Sequence, residues 1–150
     1  EKEFWIKHVI ANHSSLRDVK FRYIAKAQKS VIMQIIRATK GHPQPYVQSS
    51  RPDWNNGQER SSDPYEEKIF IQDHTAESFV EMAKQRLCKR TEARTRTFMN
   101  LLVEELKKSD NPFLQAVGEC SKPSCWWVWG CPELKGCEGV RKVSGRIINP

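Results

Sequence analysis

The 150-residue chain is short of several things that would assign a function quickly. It has only seven glycines, and none form a Walker loop or a dinucleotide-binding fingerprint. No Ser/His/Asp arrangement is visible, and the four histidines are scattered. No window approaches the roughly 18 apolar residues of a membrane span. No secretory leader is recognisable, and the chain opens inside a helical pattern, EKEFWIKHVI. Five cysteines is an odd number, and four of them crowd into residues 120–137. That argues against a disulfide-laced secreted scaffold and for a reducing, cytoplasmic setting. There is no internal repeat and no heptad pattern.

The chain is rich in positive charge. Twenty-five Lys and Arg outweigh eighteen Asp and Glu, for a net charge of +7 and a pI near 9.3. Such a balance suits anionic partners: nucleotides, polyanionic cofactors or nucleic acid. It is equally compatible with a merely solubilising surface.

Periodicity predicts a single α+β domain, a small sheet packed with helices. Residues 3–12 read as an amphipathic helix with Phe4, Trp5, His8 and Val9 on one face. Residues 19–26, VKFRYIAK, alternate like a half-buried strand. Residues 27–38 form a helix that turns Val31, Ile32, Ile35 and Ile36 to the core. A polar loop over 41–66 follows, then a short strand, KIFIQD. Thr75 reads as the N-cap of AESFVEMAKQRLC. After a break near Lys89 come TEARTRTFMNLLVEELKK, a stop at Asn111-Pro112 and the short helix PFLQAVGE.

Two arginines flank the loop. Arg37 ends an apolar helix, and Gln48, Ser49, Ser50 and Arg51 close the loop. Guanidinium forks grip phosphate bidentately, and hydroxyls and amides beside them complete a nucleotide monophosphate site. The alternative is plain: Arg37 is a helix C-terminal cation and Arg51 an exposed loop residue. Between Lys84 and Arg96 lie six cations, with Arg86 and Arg90, then Arg90 and Arg94, four apart on a common helix face. This stripe would follow a phosphate backbone, aim one arginine into an anion site, or simply be solvated.

Cys120, Cys125, Cys131 and Cys137 are separated by four, five and five residues. Those gaps are wider than zinc knuckles, so zinc, free thiols and a disulfide all remain open. Trp126, Trp127 and Trp129 would cover a core or subunit interface, or stack on bases. Cys88 reads as a small buried helix residue.

The order of these motifs resembles the flavin-dependent thymidylate synthases, the ThyX family. SVIMQIIR places Gln34 three residues ahead of Arg37, a loop ends in Ser-Ser-Arg, and RLCKR and CPE follow in order. The similarity runs from about His8 to Cys137. Departures are also present. Arg37-Ala38-Thr39 stands where the family has Arg-His-Arg, and Thr75-Ala76-Glu77 where it has Asn-x-Arg. Glu92-Ala93-Arg94 replaces Gln-Trp-Glu, and the stretch from Arg51 to Thr75 is short.

The resemblance implies a homotetramer binding FAD and dUMP. It implies reductive C5 methylation of the uracil ring with methylenetetrahydrofolate as one-carbon donor and NADPH as reductant. Gln34, Gln48, Ser49, Ser50, Arg51 and Arg86 would bind the nucleotide, with Arg51 at its phosphate. Arg86 against the ring, and Ser49, would be catalytic. His13, Ser14, Arg37 and Lys40 would lie on the flavin side, where Ala38, Thr39, Thr75 and Glu77 differ from the family. The alternatives are a related fold with altered uracil chemistry, such as hydroxymethylation, and a basic nucleic-acid-binding domain without catalysis.

Overall fold

The computed structural model describes residues 1–39, 45–49, 63–128 and 131–132. Its elements run α1 (Lys2–Ile10), a 3-10 turn (Ser14–Arg17), β1 (Lys20–Gln28), α2 (Lys29–Ala38) and β2 (Tyr46–Val47). They continue with β3 (Glu67–Thr75), α3 (Ala76–Arg86), α4 (Ala93–Lys108), α5 (Pro112–Cys120) and α6 (Ser124–Trp127). This is an α+β arrangement with a three-stranded antiparallel sheet in the order β1-β3-β2. No helix among the described residues is long and apolar enough to cross a membrane.

The sheet's two faces follow from period-two alternation. On the inner face Phe70, Gln72 and His74 are buried, with Tyr23 opposite Gln72 and Phe21 opposite His74. Phe79 of α3 packs on this layer, its ring 5.4 Å from Phe21 and edge-on to His74. Met82, Ile35, Met99 and Val117 complete a core shared by α2, α3, α4 and α5. The outer face carries Ile24 opposite Ile71, which pairs in turn with Tyr46. Ion pairs flank that row, Arg22 with Asp73 at 2.6 Å and Lys26 with Glu67 at 2.8 Å.

Both long strands exceed expectation. β1 runs to Gln28 and β3 from Glu67 to Thr75, because their nine-residue ladder is unbroken from Lys20–Thr75 to Gln28–Glu67. The helix expected from residue 27 therefore starts at Lys29. Within the expected 41–66 loop, Tyr46 and Val47 add a short third strand to β3. The first helix stops at Ile10 instead of residue 12, where Asn12 takes a φ of 51°. That left-handed backbone suits Asn and ends a helix.

Caps follow side-chain chemistry. The Thr75 hydroxyl accepts from the Ser78 amide, as its position predicts. Asn111 caps α5 by accepting from Phe113 N and Leu114 N, and Pro112 fills the first turn, where its missing amide costs nothing. Glu92 caps α4, its carboxylate accepting from the amides of Arg94 and Thr95 at 3.1 and 2.8 Å and from the Thr95 hydroxyl.

Candidate functional site

A cleft of about 770 Å³ opens between α2, the end of α3 and α6. Gln34 lines one wall and Arg86 another, with Ser124, Cys125 and Cys131 on the third. Why the wall exists is legible in local chemistry. α3 is anchored by Phe79, Val80, Met82 and Ala83, so its last turn projects Arg86 beyond the core. The helix ends at Leu87, whose amide still donates to the Ala83 carbonyl at 2.9 Å.

The turn from α3 to α4 is held by its own hydrogen bonds. Thr91 N donates to Cys88 O at 2.9 Å, and the Thr91 hydroxyl donates to Gln85 O at 2.7 Å. Arg96 Nη1 donates to Lys89 O at 2.6 Å. These donors occupy carbonyls that a helix end otherwise leaves to water. α6 is tied down separately: the Ser124 hydroxyl donates to Lys84 O at 3.1 Å, and Lys84 Nζ lies 4.6 Å from the Trp127 ring centroid.

Arg86 is the electrostatic anomaly of the cleft. Its Nε is buried and has no hydrogen-bond partner. Burial, and secondly the charge of Arg37, hold its pKa below the usual guanidinium range. Guanidinium stays charged even so, which leaves a fixed cation short of counter-charge. Among the described residues the one carboxylate lining the cleft, Glu92, has its oxygens on backbone amides as a cap. An entering anion would meet what Arg86 lacks.

The end of α2 is fixed by a buried polar chain. Tyr23 OH donates to Gln72 Oε1 at 2.8 Å, and Gln72 Nε2 donates to Thr39 Oγ1 at 2.9 Å. Thr39 Oγ1 in turn donates to the Ile35 carbonyl at 3.0 Å. Thr39, which stands where the resembling family has arginine, is here the inner stop of α2. It fixes the last turn of α2, which carries Arg37 two residues earlier.

The expected site residues divide into three groups. Gln34 and Arg86 share the cleft, and Arg37 stands near enough to act on Arg86 electrostatically. Gln48 is committed to the sheet edge: its amide donates to Ile69 O at 2.9 Å and its Oε1 accepts from Ile69 N at 3.3 Å. Ser49 follows it, half-buried. His13 stacks against His8 with ring centroids 4.7 Å apart, and Ser14 opens the 3-10 turn; neither lines the cleft. Lys40, Ser50, Arg51, Trp129 and Cys137 lie outside the described residues.

Two expectations need correction. The basic stripe is not one helix face, because residues 87–92 break the helix between Arg86 and Arg94. Arg94 turns instead over the Tyr65 ring, 4.4 Å from its centroid, and Nη1 donates to Gln28 at 3.4 Å. The cysteines also sort differently. Cys120 is buried at the end of α5, whereas Cys125 and Cys131 line the cleft. Cys88, expected inside a helix and buried, lies in the turn, half-exposed, and joins them. Among the described residues no group of three His, Cys, Asp or Glu is placed to hold a metal ion.

Reading the sequence alone missed the contributions of Cys88 and Ser124 to the cleft. The signal for Cys88 was its position inside RLCKR, two residues from Arg86. Ser124 carried none, since α6 is too short to show a period.

Compared with protein-family models, curated proteins and solved structures, the chain matches none of them.

Proposed function

We propose that the cleft binds a pyrimidine nucleoside monophosphate, and that the chain is a flavin-dependent thymidylate synthase-like methylase acting on dUMP. The observation that supports this most is the buried, unpartnered Nε of Arg86, in a cleft shared with Gln34. Those are two of the residues that the resemblance sets at the nucleotide.

In this reading Arg86 lies against the uracil ring and stabilises negative charge as it develops on a carbonyl oxygen. One such preorganised donor is worth about 3–4 kcal/mol in a transition state. The side-chain amide of Gln34 can both donate to and accept from the ring's imide edge. Ser49, with Ser50 and Arg51, would hold the phosphate, and Arg37 would complete the positive field.

The described residues do not assemble a flavin pocket. His13 and Ser14 stand at the end of α1, and Arg37 at the end of α2. The resemblance implies that FAD lies between subunits of a homotetramer, with methylenetetrahydrofolate and NADPH as co-substrates. No step is therefore derived through the flavin.

The test is a visible spectrum after incubation with FAD and gel filtration, followed by a turnover assay with dUMP, methylenetetrahydrofolate and NADPH. The proposal expects a retained flavin band perturbed by dUMP, and thymidylate as product. No band and no product, together with affinity for single-stranded nucleic acid that falls steeply with salt, would replace it with a basic binding domain.

A further inference from the structure

The free cysteines fall into two chemical settings. Cys120 is buried on the inner side of α5, its Sγ pointing to the Ile6 carbonyl at 4.0 Å, and burial pushes its thiol up to about 11. Cys88, Cys125 and Cys131 are partly exposed free thiols on the walls of one cleft. They arrive from three separate segments: the turn after α3, the helix α6 and the residues beyond it. Nothing in their backbone roles requires sulfur.

Among the described residues, the same cleft is lined by the cations Lys84, Arg86, Lys89 and Arg90 and by the carboxylate of Glu92, and Lys84 also pairs with Glu81. Cations lining the cleft draw anionic reagents towards the thiols. The volume, about 770 Å³, is of the size that takes small-molecule ligands.

We propose that the cleft is a thiol-modification site at which a small anionic disulfide of the glutathione type forms a mixed disulfide with one of Cys88, Cys125 and Cys131, Cys88 foremost, and so closes the cleft to nucleotide. The thiolate attacks one sulfur of the oxidised peptide. A protein–peptide S–S bond forms, the original S–S bond breaks, and the released peptide thiolate takes up a proton. No other oxidant is needed. A reduced thiol reverses the step. Closure against nucleotide rests on the functional reading above; formation of the adduct does not.

The experiment treats the full chain with oxidised glutathione or with neutral bis(2-hydroxyethyl) disulfide. Intact-mass spectrometry follows the rate, and peptide mapping the position. The ratio of the two rates is taken for native and for urea-unfolded protein. The inference expects adducts on Cys88, Cys125 or Cys131 ahead of the buried Cys120. It expects a native ratio about tenfold above the unfolded one, collapsing in ~1 M salt. Cys88→Ser, a near-isosteric change at a half-exposed turn, lowers the adduct yield without altering the thermal melt. Adducts confined to Cys120 or Cys137, or equal ratios in the two states, would overturn it.

Binding of dUMP is then measured on both forms. Modified protein that binds dUMP as well as unmodified protein refutes the closure. Failure of the unmodified protein to bind dUMP counts against the functional reading alone, because the mass result stands without it.

Discussion

Arg22 and Arg86 are the same side chain put to opposite uses. Arg22 stands on the outer face of the sheet, largely exposed, and Asp73 across the ladder receives both its Nε and its Nη2, at 2.6 and 2.9 Å. The hydrogen bonds of Asp73, and then its charge, raise the pKa of Arg22 above the usual range. Arg86 projects from a helix end, has its Nε buried without a partner, and is lowered by burial and by Arg37. The sheet satisfies its cations internally, as Lys26 with Glu67 and Lys68 with Glu66 also show. The cleft leaves one of its own unsatisfied. A fold can carry such a deficit only where something else stabilises it, here the apolar anchoring of α3 beneath. A ligand's anion is the simplest complement.

Substitutions at four positions sharpen that contrast. Phe70→Ala removes a fully buried ring from the sheet's inner face, and should cost about 3–5 kcal/mol by loss of burial and creation of a cavity. A urea titration measures it. The cleft should suffer only through global unfolding, so a residual folded fraction still binds ligand.

Arg86→Ala should do the reverse. Turnover falls roughly 10²–10³-fold, while the denaturation midpoint stays level or rises, since an unmatched buried donor is removed. Steady-state rates beside a thermal melt separate the two effects. Arg86→Lys should not restore the rate, because a point charge lacks the planar fork.

Glu92→Ala removes the cap of α4 and should cost about 1 kcal/mol. The pH dependence has a defined sign. The Thr95 and Arg94 amides hold the folded pKa of Glu92 below the usual carboxylate value. Its contribution is therefore complete above the unfolded pKa and disappears as pH falls through the folded one. Wild-type stability relative to Glu92→Ala should shrink across that acidic window, as paired melts would reveal.

The smallest effect belongs to Arg22→Ala. An exposed ion pair screened by solvent contributes little, and its melt should fall within error of wild type near neutral pH. A large loss there would show that the outer face is covered in solution, since Ile24 and Tyr46 beside it are 68% and 66% exposed in the isolated chain.

What could be read in the sequence was what repeats. Strand alternation through Phe21, Tyr23 and Ala25 and the Val31, Ile32, Ile35, Ile36 stripe each have a period, and both lie where expected, although Val19, expected to begin the strand's inner row, precedes β1 and is exposed. So does Thr75 as a cap, because a hydroxyl three residues before an orphan amide is a local matter. What escaped was tertiary. A single-face stripe from Lys84 to Arg96 presupposes a continuous helix, but residues 87–92 turn, and Thr91 and Arg96 hydrogen-bond that turn shut. Thr39 reads as a lost arginine until Gln72 and Tyr23, more than thirty residues away on one side and sixteen on the other, are brought beside it. Cys88 and Cys131 share a cleft although forty-three residues separate them in the chain. Spacing along the chain carries no trace of such meetings.

The most direct test of the central claim is an equilibrium titration of dUMP, in the presence of FAD, into wild-type protein and Arg86→Ala, with inorganic phosphate as the control anion. The account predicts saturable binding by wild type, loss of at least tenfold in affinity for the variant with its melt not lowered, and no comparable competition from phosphate. Equal affinity in the two proteins would contradict it, since Arg86, with its buried unpartnered Nε, would then have no part in holding the nucleotide.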